Sequence, residues 1–412
     1  MTFDLIIIGA GAAGLFASAN APVGWRTLVL EKTDKPGQKL LLTGSGQCNF
    51  TNNESIKAFI TRYGNNGKHL RSVLFPFSNL ALMEYFKQNE LPIHIREDGK
   101  VFPTSMNSAD VLNLLLRLSR DRNVSIQYNG AVTDIVYQEE NKSLMFVLKT
   151  TREQFYTKRL LVATGGASYP QTGSDGAFFD CLKRLGLTLI PGRPALVPVN
   201  VRDYPYSELS GLTFSNSLVE IYDKNGECSG KAKGDLLFTH NNFSGPVILK
   251  ISRYATKENR LNINYLPDKT NDSLRVDLLR AATGDGRQII TLLGAITALP
   301  RSFLELVCSS VNIEKNKKSS SLTGKEMGAL ATRITADSYE ISGTGGFDTA
   351  MATAGGVSLD EINMQTMEVK KYPGMYIAGE ALDVDGDTGG YNLQYAFSSA
   401  MCCIRAMQAT QQ

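Results

Sequence analysis

Histidine and cysteine are scarce in this chain and scattered along it. Three histidines (His69, His94, His240) stand far apart among 412 residues. The six cysteines (Cys48, Cys181, Cys228, Cys308, Cys402, Cys403) contain no C-x-x-C pair. No metal site is expected from such spacing, and no disulfide framework. The pattern points to a reduced, cytoplasmic compartment. An excess of charge of one sign is also missing. A formal net charge of +3 is too mild to argue for a nucleic-acid partner, and none is expected. The run Lys315, Lys317, Lys318 before three serines reads as a solvated loop. No apolar stretch approaches a membrane span, and no basic segment precedes the first apolar run, so neither membrane insertion nor a signal peptide is expected. Repeats and low-complexity segments are missing too. What remains, 42% hydrophobic and 20% charged, is an ordinary globular composition, and 412 residues suggest two or three domains.

Glycine, by contrast, is placed with a purpose. Residues 3–31 read FDLIIIGAGAAGLFASANAPVGWRTLVLE. An apolar strand meets Gly9, Gly11 and Gly14, then an Ala-rich helix, a second apolar strand and an acid, which is the G-x-G-x-x-G fingerprint in its proper context. Gly9 permits the turn, Gly11 lets backbone approach a pyrophosphate, and Gly14 allows close helix–strand packing. The helix start, with Ala12 and Ala13, offers free N–H groups and a positive dipole end. Glu31, 20 residues past Gly11 and followed by Lys32, is placed to accept hydrogen bonds from a ribose; its charge disfavours NADP at this site.

A Gly/Ser/Thr/Asn-rich segment follows at 36–53. Helical patterns occupy 80–89 and 108–120. Short apolar runs at 124–128, 132–138, 144–149 and 154–156 suggest an antiparallel meander before a strand at 159–163, whose end (Thr164, Gly165, Gly166) marks the ligand-favoured edge of a sheet. From Pro191 the text changes. Asn225–Gly226 signals a hairpin, 247–251 and 261–265 read as strands, and 272–331 turns helical with a break at Pro300. The spacing predicts a discontinuous dinucleotide domain, 1–190 with 343–412, and an inserted domain, 191–342, β-rich over 191–268 and helical over 269–342.

The chain ends with a short strand at 375–378, an acid- and Gly-rich loop, and a helix over 393–406. A late strand, loop and helix that rejoin the first domain favour FAD over NAD. Asp383, Asp385 and Asp387 are candidates for the ribityl or phosphate side, or solvated loop acids. Gly389 and Gly390, with Tyr391 and Asn392, are expected as backbone donors at a helix start beside the flavin, where the dipole stabilises negative charge on reduction. No second strand–GxGxxG–helix unit occurs, so any nicotinamide donor, NADH or NADPH, would bind transiently against the flavin.

Seven strings carry a resemblance along the whole chain: GAGAAG (9–14), GQKLLLTGSGQCNFTN (37–52), EDGKVFPTS (97–105), ATGGASYPQTGSDG (163–176), LLFTHNNFSGPVILKIS (236–252), ATAGGVSLDEIN (352–363) and YIAGEALDVDGDTGGYNLQYAFSSA (376–400). They resemble the BaiN/YhiN-type flavoproteins, a family of NAD(P)/FAD-dependent oxidoreductases or aminoacetone-oxidase-family FAD-binding enzymes. The resemblance implies an α/β, Rossmann-like FAD-binding domain (two-dinucleotide-binding-like) with an inserted β-barrel-like plus helical domain. It implies FAD contacts at Gln38, Lys39, Gly44, Gly46, Cys48 and Asn49, near Val132, and at Gly379, Glu380 and Leu393. One departure stands out: Gln47 occupies the place where such proteins usually carry arginine.

The expected chemistry is hydride transfer at flavin N5 to or from a small or medium organic substrate. Cys48, Tyr169, His240 and Tyr391 are the reactive types in motif-like contexts. Cys48 reads as a packed small residue, His240 as a structural hydrogen-bonder and Tyr169 as packing, so no catalytic acid or base is assigned. A reductase or dehydrogenase is favoured. The alternatives are an amine-type oxidase that yields peroxide and a non-redox or RNA-linked flavoprotein.

Overall fold

Leu5–Ile8 form a strand, β1, whose four side chains are all buried. A run apolar at every position suits a parallel strand covered on both faces. Ala12–Ala19 (α1) follows the glycine turn, and Thr27–Leu30 (β2) pairs parallel to β1 with Val29 opposite Ile7. The computed structural model describes residues 2–140, 143–284 and 286–410. The chain divides into two units, Met1–Ala195 with Gly346–Gln412, and Leu196–Gly345.

In the first unit, Gln38–Leu42 (α2) and Ser108–Asp121 (α3) precede Ser125–Gln127 (β3). β3 pairs parallel to β2, with Ile126 opposite Val29. The expectation that 124–128 opens the meander is therefore corrected: α3 acts as a crossover helix and returns the chain to the parallel sheet. The meander is Val132–Glu140 (β4), Ser143–Thr150 (β5) and Gln154–Thr157 (β6), antiparallel in sequence. Leu160–Val162 (β7) then pairs parallel on the other side of β1. Leu189–Ala195 (β8), where the sequence suggests only a boundary, is a strand.

In the second unit, Val199–Val201 (β9), Thr213–Tyr222 (β10), Cys228–Phe238 (β11), Phe243–Ser244 (β12), Pro246–Ile251 (α4) and Arg260–Asn264 (β13) lead into four helices. These are Asn271–Ala282 (α5), Ile289–Thr297 (α6), Arg301–Ser310 (α7) and Gly324–Thr335 (α8). Asp337–Thr344 (β14) closes a barrel in the order β9-β12-β11-β10-β13-β14. Two expectations change here. Residues 247–251 are helical, because Pro246 sits in the first turn and Gly245 adopts φ 92°, and a short apolar run cannot by itself distinguish helix from strand. Residues 337–342 are strand, although read as part of a helical stretch; Asp337, Tyr339 and Ile341 alternate inward with period two. Asp337 is buried at 1% exposure and its Oδ2 accepts the hydroxyls of Tyr206 (2.5 Å), Tyr265 (3.0 Å) and Tyr339 (2.6 Å). Arg333 donates to its Oδ1 at 2.5 Å.

Back in the first unit, Ala352–Val357 (β15) pairs antiparallel with β8. Ile362–Asn363 (β16), Glu368–Val369 (β17) and Met375–Ile377 (β18) precede the long helix Tyr391–Ala409 (α9). Among the described residues the main sheet has seven strands in the order β16-β17-β18-β7-β1-β2-β3. The last strand of the chain thus lies two places from the first.

Candidate functional site

Beyond the carboxyl ends of β1, β2 and β7 lies a cavity of about 550 Å³, lined wholly by residues of the first unit. It begins at the glycine turn. Gly9 adopts φ 99°, and a Cβ there would stand 2.6 Å from the Ala163 carbonyl oxygen, so only glycine fits between the two strand ends. Gly14 has a different duty: a Cβ would lie 1.9 Å from the Gly9 oxygen. It packs α1 on the turn and stays behind the cavity wall. Around Gly11 a Cβ would meet nothing within 4 Å. Gly11 is also the N-cap of α1 and provides no side-chain cap. The first N–H groups of that helix, at Ala12 and Ala13, therefore face the cavity with the positive dipole end.

Glu31 stands at one end of the cavity, 8% exposed. Its Oε2 accepts the Ala10 N–H at 2.7 Å, and its Oε1 accepts the N–H (2.9 Å) and hydroxyl (2.8 Å) of Thr33. Beside it Lys32 pairs with Asp175 at 2.7 Å. Burial pushes the Asp175 carboxyl up, but Lys32 and the Ala177 N–H outweigh it and hold the group below its ordinary value. Val132, Thr164 and Gly165 continue the wall.

The middle of the cavity is bounded by Gln38 and Lys39 from α2 and by Gly379 and Glu380, which follow β18. Lys39 pairs with Glu380 at 2.5 Å and also contacts the Ser168 hydroxyl. Glu380 Oε1 accepts Ser168 Oγ at 2.9 Å and the Thr353 N–H at 2.6 Å. Ser168 and Thr353 lie within the strings at 163–176 and 352–363 but were not read as site residues; small hydroxyl residues recur everywhere, and folding selects these two. Of the wall at 172–181 and Arg184, residues 172–176 fall in the string at 163–176, whereas 177–181 and Arg184 were not singled out.

Asn392 and Leu393, in the first turn of α9, form the far wall. Asn392 locks the preceding loop, accepting the Gly386 N–H at 2.7 Å and donating to the Gly386 carbonyl at 3.0 Å. Gly390 is the N-cap at φ 95°, and again no side chain caps the helix. A Cβ on Gly390 would lie 2.5 Å from the Thr51 oxygen, so it serves packing and stands outside the wall. Tyr391 is buried against Phe59 (ring centroids 4.9 Å) and is also outside it.

The remaining candidates stand apart from the cavity. Gly44 and Gly46 lie in a left-handed loop with Ser45, and Asn49 is spent on the carbonyls of Thr51 (2.9 Å) and Val101 (3.0 Å). Cys48 is fully buried, and burial pushes its thiol up to about 12. Asp385 is half-buried beyond the wall, and Asp383 accepts the Gly355 N–H at 3.0 Å. Tyr169, at φ 54°, donates its N–H to the Phe347 carbonyl at 2.9 Å, and His240 is exposed on the second unit. Among the described residues, no group of three or more His, Cys, Asp or Glu could hold a metal, and no helix is long and apolar enough to cross a membrane.

Two helix N-termini without side-chain caps open on one cavity whose wall also carries a buried carboxylate. These residues fit a dinucleotide: phosphate oxygens at α1, a ribose at Glu31, and a ring system towards α9.

The family described as HI0933-like protein Rossmann domain matches residues 3–406. The chain is similar to a ribosomal RNA dihydrouridine synthase of Escherichia coli (strain K12), 31% identical over 409 residues, covering 99% of this chain and 98% of that one. It is similar to a 3-dehydro-bile acid delta(4,6)-reductase of Clostridium scindens, 29% identical over 413 residues, with 97% and 98% covered. In fold it is like a solved 3-ketosteroid delta1-dehydrogenase from Sterolibacterium denitrificans, with TM-score 0.53, 12% identity, and 99% and 100% of the two chains covered.

Proposed function

Because this chain belongs to the HI0933-like Rossmann-domain family and is an FAD-dependent oxidoreductase, we propose that it reduces a carbon–carbon double bond conjugated to a carbonyl group. The two sequence relatives bear names for reductions of that kind. Dihydrouridine is uridine whose ring double bond, conjugated to a ring carbonyl, has been saturated. A delta(4,6)-reductase of a 3-dehydro steroid saturates double bonds conjugated to the C3 ketone. Bound FAD would supply the two-electron carrier for such a reduction, which adds a hydride to the carbon β to the carbonyl and a proton to the α carbon.

The observation that carries this reading is the pair of uncapped helix starts facing one cavity. At α1 the N–H groups of Ala12 and Ala13 would hold the pyrophosphate, and Glu31 the ribose. Lys39 and Glu380, which line the same cavity, would lie beside the sugar chain. At α9 the backbone of Asn392 and Leu393 carries the positive dipole end, which would stabilise negative charge on a ring system placed there. A carbonyl-conjugated acceptor suits such a site because its reduction also develops negative charge, on the carbonyl oxygen.

Anaerobic stopped-flow tests the proposal. The flavin is first bleached with NADH or NADPH, and the reduced protein is mixed with a conjugated enone, a uridine-containing oligonucleotide or air-saturated buffer. The expected result is reoxidation by a conjugated acceptor, with a product heavier by two hydrogens. Reoxidation by oxygen alone, with peroxide formed, would overturn it in favour of an oxidase.

A further inference from the structure

The sequence puts Lys32 among the residues expected to hold the cofactor, yet the folded chain spends its ammonium on Asp175, 143 positions later, at 2.7 Å. Both side chains line the cavity. They keep 35% and 41% of their surface exposed, so the pair stands where the cavity meets solvent.

Sheet order sets what this pair joins. β2 and β7 lie on either side of β1. Strands one place removed from direct neighbours stand about 10 Å apart, a gap that backbone hydrogen bonds cannot cross and a lysine stem can help to span. Lys32 follows the end of β2, and Asp175 belongs to the loop that leaves β7. The glycine turn lies between those strand ends: the Gly9 N–H donates to the Leu30 carbonyl at 2.9 Å, and a Cβ on Gly9 would meet the Ala163 oxygen. The ion pair therefore ties together the two walls that flank the turn.

The loop after β7 is anchored unevenly. Its neck is closed at the Gly166 carbonyl, which accepts the Gly176 N–H and the Ser174 hydroxyl, each at 3.1 Å. Its first half is fixed to Thr353, whose Oγ1 accepts the N–H groups of Ala167 (2.8 Å) and Ser168 (3.1 Å). The second half, 172–175, lines the cavity and rests on the end of β2. A Cβ on Gly173 would lie 2.8 Å from Thr33 Cγ2 and 3.3 Å from Lys32 Cε. Lys32–Asp175 is the polar tie for this half, and the Ala177 N–H, donating to the same Oδ1 at 3.0 Å, fixes the carboxylate in place.

We propose that Lys32 and Asp175 form a clasp across two walls of the cavity, which retains bound FAD without touching it and opens to let it leave. An ion pair this exposed adds little to folding stability, so its effect is read in the rate of FAD release. Salt screens exposed charges and makes the clasp easier to open. The inference concerns the cofactor and holds whichever acceptor the flavin reduces.

The test follows FAD release from the flavin-loaded, full-length protein, by the rise of flavin fluorescence on dilution, across a salt series. K32M and D175N are compared with each other, with the double variant K32M/D175N and with the exchanged pair K32D/D175K. K231M/E220Q, which breaks a 2.6 Å pair of the second unit, is the control. Each single variant is expected to release FAD about fivefold faster at low salt, the upper range for an exposed pair. The double variant should be no faster than the singles, because each change removes the partner of the other. The exchanged pair should move back towards wild type, and the control should match it. Salt should speed release from wild type and leave the double variant unaffected. Slower release from D175N would show that Lys32, once freed, grips FAD directly, and would overturn the proposal. Additive single effects, or salt curves that run parallel in wild type and the double variant, would overturn it too. A matching fall in the melting temperature of the flavin-stripped variants would assign the pair to folding instead.

Discussion

Lys39 and Glu380, 341 positions apart in the chain, form one ion pair with 2.5 Å between Nζ and Oε2. The carboxylate's other oxygen takes Ser168 and Thr353, so a single side chain joins α2, the loop after β7, and β15 to the end of β18.

Replacing Glu380 with Gln keeps its shape and removes the charge, leaving the Lys39 ammonium uncompensated in a partly buried wall. A loss of about 1–3 kcal/mol in folding stability is expected, together with weaker flavin retention. The double variant K39M/E380Q should cost less than the sum of the two single changes, because the first removes the partner of the second. Denaturant titration of all three decides this, and strict additivity would contradict the pairing.

Gly11 and Gly14 are only three residues apart but should fail in different ways. In Gly11→Ala the new methyl group meets no protein atom and projects into open space at the helix start. That variant should melt like wild type once both are stripped of flavin, yet retain little FAD after purification. In Gly14→Ala the methyl group runs into the backbone oxygen of Gly9. A destabilisation of about 3 kcal/mol is expected even without the cofactor. Melting curves of stripped protein, set beside flavin content by absorbance, separate the two.

Glu31 holds the turn as well as facing the cavity, since Ala10 and Thr33 already donate to it. Glu31→Arg should sharply reduce FAD retention. Glu31→Gln, which keeps one acceptor oxygen, should fall between that variant and wild type. Flavin released by heat and measured by fluorescence is the readout; full retention in Glu31→Arg would refute the ribose role.

Cys48 is expected to be a poor nucleophile at working pH. Burial raises its thiol from an ordinary value of 9.0 to about 12, against a small opposing pull from Thr43. Iodoacetamide at pH 8 should therefore modify exposed Cys228 rapidly and spare Cys48 until the protein unfolds. The sign for stability follows. The unfolded chain loses this proton near pH 9 and the folded one near 12, so the contribution is complete below 9 and is lost as pH rises between them. Peptide mapping of labelled protein would show early modification at Cys48 if this were wrong.

Legibility differed from residue to residue. The glycine turn, α1, β2 and the closing strand and helix could be read directly, because each depends on neighbours within a few positions: spacing of glycines, apolar runs and an acid at the strand end. The α/β class with an inserted barrel was legible for the same reason. Gly44, Gly46, Cys48 and Asn49 sit in an equally distinctive string, yet they lie outside the cavity wall. Which way that loop turns is decided by Asn49 reaching Val101, 52 residues away. The helical state of 246–251 and the strand at 337–344 were hidden because short apolar runs carry little period of their own.

By itself, then, the sequence determined the glycine turn and the helix that starts after it, since both obey local sterics. Tertiary structure alone decided what closes the other side. Ser168, Thr353 and Glu380 become one hydrogen-bonded cluster around Lys39 only when β7, β15 and β18 are brought together. Tyr63 and Asn66 reach the Tyr391 and Asp383 carbonyls of the loop before α9 only in the folded chain. Contacts between residues hundreds of positions apart leave no periodic trace in a sequence, because packing sets them through the exclusion of water and the satisfaction of buried polar groups.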